Sequence, residues 1–123
     1  MSRETASMKP VNEMSEQECR DEIAKAKGWE PITEGVGVGL GVWRHPEFGE
    51  QGEHPIVDDL DAAHDSLPEG VRWDSVHWLP GGRYAAVAVG RGPLAVWDSD
   101  GDYMRLAMLR ASTAAHRAGK ENA

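Results

Sequence analysis

Hydrophobic positions divide the chain into short runs of differing period. In residues 71–90, VRWDSVHWLPGGRYAAVAVG, two runs rich in tryptophan, valine and alanine flank Leu79-Pro80-Gly81-Gly82. Proline at the second position and glycine at the third suit a tight turn, so the segment predicts a β-hairpin. Alternation puts Trp73 on one face of the first strand and Val76 and Trp78 on the other. The second strand, from Ala85 to Val89, is small or β-branched throughout. Both strands therefore read as covered on both faces, at the centre of a sheet. The alanines leave room for a helix to approach closely.

The remaining runs surround this hairpin. Ser15-Glu16-Gln17-Glu18 is a capping box, with Met14 placed to staple to Cys19. The helix it starts has Cys19, Ile23 and Ala26 as its buried stripe, and Gly28 stops it. Residues 35–43 alternate, with Val36, Val38, Leu40 and Val42 on one face and glycines on the other, and predict a strand. His45-Pro46, Gly49, Gly52 and His54-Pro55 break the pattern and predict a loop over residues 44–55. Asp58 is the expected N-cap of a short helix over residues 59–67, with Leu60, Ala63 and Leu67 facing inward. Residues 94–97 predict one more strand. Ser99-Asp100-Gly101-Asp102 reads as the cap of a last helix, whose stripe is Tyr103, Leu106, Ala107, Ala111 and Ala114.

These elements predict an α+β fold: a small, largely antiparallel sheet of three to four strands with about three helices packed on it. Residues 1–13 have no apolar period and are expected to form a disordered arm. Residues 14–118 form one domain, and residues 119–123 fray. With 123 residues, 40% of them hydrophobic, and five tryptophans, the chain supports one modest core. No apolar run approaches the roughly 20 residues that span a bilayer, so no membrane partner is expected. Cys19 is the sole cysteine. A reducing, cytoplasmic setting is the expectation.

Charge adds a second feature. Of the net −8, residues 1–70 hold 16 acidic and 6 basic side chains, whereas residues 71–123 hold 5 and 7. Residues 45–71 contain eight carboxylates and no Lys or Arg. Glu47, Glu50, Glu53, Asp58, Asp59, Asp61 and Asp65 make an acidic belt that repels phosphate backbones and disfavours nucleic acid as a partner. Such a belt suits docking on a basic protein; its plainer use is to keep a small protein solvated.

Candidate chemistry is sparse. The glycine run lacks the G-x-G-x-x-G spacing, because Leu40 and Val42 stand where glycine is needed. Asp61 and His64 lie one helical turn apart, and His45, His54 and His77 are the histidines available to join them. Yet neither H-E-x-x-H nor C-x-x-C is present, and no metal or other cofactor is expected. Ser66, Ser75 and Ser99 sit in no nucleophile elbow. Cys19 reads as a small core residue. An alternative site combines Trp43, Arg44, Trp78, Arg83 and Arg91 into a stacking pocket for an aromatic or nucleotide ligand, with a homo-oligomer as its setting.

Several of these residues carry a family resemblance. A helix ends in Ile23-Ala24-Lys25-Ala26-Lys27-Gly28-Trp29 and a glycine-rich strand follows it. Next come Trp43-Arg44-His45-Pro46 and Pro55-Ile56-Val57-Asp58-Asp59-Leu60-Asp61-Ala62-Ala63-His64, then a Trp-bearing strand and an Ala/Arg helix. This order resembles the small phage and prophage proteins of the phage ABA sandwich domain family, over residues 14–115. Asp59-Leu60-Asp61-Ala62-Ala63-His64 is its most telling part. The resemblance implies a sheet sandwiched by helices and a bacteriophage origin. It implies no catalytic residues. The chain departs from the family in its middle helix, cut short at Pro68, and in its glycine strand. The expected function is that of a non-enzymatic, phage-type accessory protein that binds a host or phage protein in the host cytosol through the acidic belt, as an inhibitor of bacterial defence. A small-ligand binder for nucleotide signals is the alternative, followed by a metal-dependent enzyme.

Overall fold

The computed structural model describes residues 9–32, 42–92 and 95–121. The expected glycine strand lies outside these residues except for Val42 and Trp43. So does Leu94.

The capping box closes as read. The Glu18 amide donates to Ser15 Oγ (3.2 Å), the Ser15 amide donates to the Glu18 carboxylate (2.8 Å), and helix α1, Glu16–Ala26, follows. Its buried residues are Cys19, Ile23 and Ala24, whereas Ala26, expected in the stripe, is exposed. The covering elements lie on the Ala24 shoulder of the stripe, not on its other side. Gly28 takes a φ of 99°, and a Cβ there would stand 2.9 Å from the His45 ring. Glycine therefore suits this helix end on both counts. The segment expected as an arm is partly ordered: Val11–Glu13 form a 3-10 turn packed against the last helix and the last strand.

Among the described residues two small antiparallel sheets, rather than one, give the α+β fold its strands. The first has the order β1 (Glu30–Pro31), β2 (Trp43–His45), β3 (Gly49–Gln51). A hairpin thus occupies much of the segment expected as a loop. Its strands are too short for periodicity to reveal. The second sheet is β4 (Arg72–Leu79), β5 (Arg83–Val89) and β6 (Val96–Gly101), in that order. The predicted turn at residues 79–82 joins β4 to β5.

A β-bulge in β4 corrects the assignment of tryptophan faces. Trp73 pairs with Ala88 and Ser75 with Val87, which leaves Asp74 as an extra residue. The insertion reverses the alternation, so Trp73, Val76 and Trp78 share one face, opposite Ala88, Ala86 and Tyr84. A second correction concerns β4 itself: among the described residues it is an edge strand, covered less than β5, and Trp78 at its end is 72% exposed. The central position belongs to β5, where Ala86 and Ala88 are fully buried beneath the last helix.

That helix, α3 (Met104–Glu121), is the middle of the molecule. It packs on β5 and β6 with one side and on α1 with another. Leu106, Ala107, Met108, Leu109, Ala111, Ser112, Thr113 and Ala115 are all buried, so most of its circumference is covered. It continues through Glu121, past the expected fraying point. Ser99 is not its cap, because β6 runs on to Gly101; Ser99 pairs with Ala86 and its hydroxyl donates to Asn12. Three arginines of α3 reach across to α1 and its approach: Arg105 to the Glu16 carboxylate, Arg110 to the Met14 carbonyl and Arg117 to the Glu22 carboxylate.

The middle helix, α2, is only Leu60–His64. Asp59, not Asp58, caps it: the Ala62 amide donates to the Asp59 carboxylate at 2.7 Å. Leu60 is consequently the first helical residue and is 48% exposed, while Ala63 is buried. Among the described residues no helix is long and apolar enough to cross a membrane.

Candidate functional site

The exposed carboxylates and the most exposed aromatic of the first sheet meet on the β2–β3 hairpin. Two His-Pro dipeptides shape it. The Glu47 amide donates to His45 Nδ1 (3.0 Å), so the His45 proton sits on Nε2 and is donated to the Lys27 carbonyl (3.0 Å). The same arrangement recurs at His54-Pro55, beyond β3. The Ile56 amide donates to His54 Nδ1 (3.0 Å), and His54 Nε2 donates to the Asp21 carboxylate (2.7 Å). His54 thus ties one end of the hairpin to α1 and His45 ties the other to the residue that caps α1, and each is committed to a structural hydrogen bond at both ring nitrogens.

At the tip, Phe48 is 70% exposed. Its ring stacks on Trp29 with centroids 6.1 Å apart and planes at 21°, and lies 4.6 Å from the His45 ring. His45 in turn meets Trp29 at 5.0 Å. Trp29 itself packs against the main core, so the exposed phenyl rides on a braced support. Glu47 and Glu50 flank it along the chain, and Glu30 lies across the sheet in register with Arg44 and Glu50.

The acidic belt is partly neutralised. Glu50 and Glu30 share the exposed Arg44, at 3.4 and 3.9 Å. Asp58 pairs with Arg105 at 2.9 Å, Asp59 is spent on the α2 cap, and Asp65 lies 3.2 Å from His64. Among the described residues Glu47, Glu53 and Asp61 have no cationic partner within ion-pair distance. Asp59, Asp61 and Asp65 border a shallow groove of about 410 Å³ with Lys27, whose pKa burial lowers against the opposing pull of Asp65.

The residues of the ligand alternative do not come together. Trp43 is buried in the core with its ring 4.8 Å from His54, whereas Arg44 points to the two glutamates. Trp78 and Arg83 lie at the hairpin end of the second sheet, where Arg83 pairs with Asp100 and Asp102. Arg91 follows the opposite end of β5. There it borders an open cavity of about 860 Å³, which Trp97, Val71, Gly90 and Ala115 also line. Neither this cavity nor the exposed Phe48 was identified from sequence; Phe48 is the chain's only phenylalanine and sits between breakers.

The side chains weighed for chemistry are held elsewhere. His45 and His54 are engaged as above, and His77 projects from the far face of β4. Among the described residues no three His, Cys, Asp or Glu side chains are grouped to hold a metal ion. Ser66 is buried and donates to the Ala63 carbonyl at 2.7 Å. Burial pushes the Cys19 thiol up to about 11, against weaker opposing effects of Thr113 and the nearby arginines.

No family model matches the chain, and neither the curated proteins nor the solved structures gave a match. The phage ABA sandwich resemblance therefore rests on the chain's own residues.

Proposed function

We propose that the chain is a non-enzymatic accessory protein that acts by docking on another protein, with the β2–β3 hairpin as its contact point. The braced, exposed Phe48 ring among carboxylates is the observation that supports this reading. A rigid aromatic anchor with a charged rim is the usual make-up of an energetic centre in a protein interface. The complementary partner is a protein with an apolar pocket rimmed by Lys or Arg. The phage setting, the host-cytosol location and the role as inhibitor of a bacterial defence come from the resemblance and belong to the same proposal.

The test places a photo-reactive residue at Glu47 and cross-links in bacterial lysate. A defined partner should be trapped. Phe48→Ala should weaken its capture about tenfold or more, the loss expected for an anchor, with near-UV dichroism unchanged. Glu53→Lys should weaken it further at low salt. Asp58 and Asp59 are poor choices for this test, since one pairs with Arg105 and the other caps α2. Capture that is indifferent to Phe48→Ala refutes the reading.

The cavity at Trp97 and Arg91 favours a second reading, a small-ligand binder. It would use these two residues in place of the dispersed Trp43, Arg44, Trp78 and Arg83. Thermal shift with an aromatic-anion panel, nucleotides included, separates it from docking.

A further inference from the structure

The side of the second sheet turned away from α3 has no cover among the described residues. Its register rows are Arg72, Val89 and Val96; then Ser75, Val87 and Asp98; then His77, Ala85 and Asp100. Ala85, Val87 and Val89 form an apolar strip down the middle, and Val96 extends it with 51% exposure. The charges on this face are sorted by strand. The β4 margin carries one cation, Arg72, and the β6 margin carries Asp98 and Asp100. Arg83, also on this face, partners Asp100 at 3.4 Å. Arg72 and Asp98 have no ion-pair partner among the described residues.

We infer that this face is the interface of a homodimer, with a second copy of the chain as its occupant. A two-fold axis parallel to the strands lays β5 on β5 and β4 of each copy across β6 of the other. Val87 then meets Val87, and the apolar strips cover one another. The same operation brings the cationic β4 margin over the anionic β6 margin twice, once at each side. Arg72 of one copy comes within reach of Asp98 of the other, about one residue pair along the strand. An axis perpendicular to the strands through the Val87 row would instead set Asp98 on Asp98 and repel. The charge pattern therefore selects one arrangement, an isologous sheet-on-sheet pair of the aligned type. The face measures about 14 Å across its three strands and about 20 Å along them. That is about 280 Å² per copy, well under the roughly 800 Å² per partner of a stable complex, so the dimer is a weak one that forms reversibly at high concentration. It is independent of the docking role of Phe48, which lies on the other sheet.

Sedimentation equilibrium of the full chain, from low micromolar to its highest soluble concentration, tests this. The expected result is a reversible monomer–dimer equilibrium that weakens with added salt. Val87→Asp should raise the dissociation constant about tenfold or more; Val96→Asp, at a more exposed position, serves the same purpose should Val87→Asp fail to fold. Arg72→Asp and Asp98→Arg should each weaken the dimer, and the two together should restore it. A monomer at every concentration, or association unchanged by the valine substitutions, overturns the proposal. Failure of the double swap to restore the dimer overturns the β4-over-β6 arrangement.

Discussion

Glu16 offers the most quantitative handle on what holds the helices together. Its carboxylate accepts from Arg105 Nε and Nη2 and from the Tyr103 hydroxyl at 2.7 Å, and Asp58 completes the cluster through Arg105. Burial alone would raise its pKa. The hydrogen bonds from Arg105 and Tyr103, with the charge of Arg105, outweigh burial and bring it from 4.5 to about 2. At about 1.4 kcal/mol per tenfold change in proton affinity, that is about 3 kcal/mol of stability. Because the folded-state pKa lies below the unfolded one, the contribution is complete above pH 4.5 and is lost as pH falls towards 2. Glu16→Gln keeps the shape and removes the charge. Asp58 remains to pair with Arg105, so the expected loss at neutral pH is about 2 kcal/mol. Urea melts of both proteins at neutral pH and at about pH 3 measure it. The gap between them should narrow at the lower pH. Glu18, also brought to about 2, by Lys9 first and then by Ser15, is present in both proteins and cancels. A gap that is absent at neutral pH, or constant across pH, would refute the argument.

Two further predictions concern packing. A Cβ at Gly101 would stand 2.9 Å from the Ala107 amide and 3.0 Å from Leu106 Cγ, where β6 passes the start of α3. Gly101→Ala should cost about 1–3 kcal/mol and lower the melting temperature by at least about 4 °C; an unchanged melting temperature would show that the two elements separate freely. Cys19, fully buried with its thiol pKa pushed up to about 11, should resist a disulfide reagent at about pH 8 in the native protein and react at once in denaturant. Rapid stoichiometric labelling of the native chain would contradict its placement.

What the sequence discloses depends on how local the determinant is. The α1 capping box needs only residues three apart, and the β4–β5 turn only four in a row; both form as expected. Asp58 and Asp59 are chemically equivalent caps side by side, so composition does not choose between them. Tertiary pairing does, by giving Asp58 to Arg105. The β4 bulge is a single extra residue with no signature of its own, and it moves Trp73 to the other face. Alternation is therefore correct on each side of Asp74 and misleading across it. In α3 the periodic stripe fails because nearly every side is covered, and small residues such as Ala107, Ser112 and Ala115 conceal how deeply it is buried. The hairpin that displays Phe48 is invisible for a different reason: its strands are three residues each and depend on His45 and His54 bonding across to α1.

The central place of α3 has a consequence for the order of assembly during synthesis. Its ties to α1 join residues 89 and 95 positions apart, Arg105 to Glu16 and Arg117 to Glu22. Closing loops of that length costs about 4 kcal/mol of chain entropy before any contact is made, which places these contacts among the slow steps of folding. A nascent chain that has reached only β6 can seat Val11–Glu13 on that strand, but it leaves α1 and the alanine face of β5 without the helix that covers both. Until residues 104–121 leave the ribosome, that apolar surface is open to chaperones and proteases, and the core closes only when the last helix arrives.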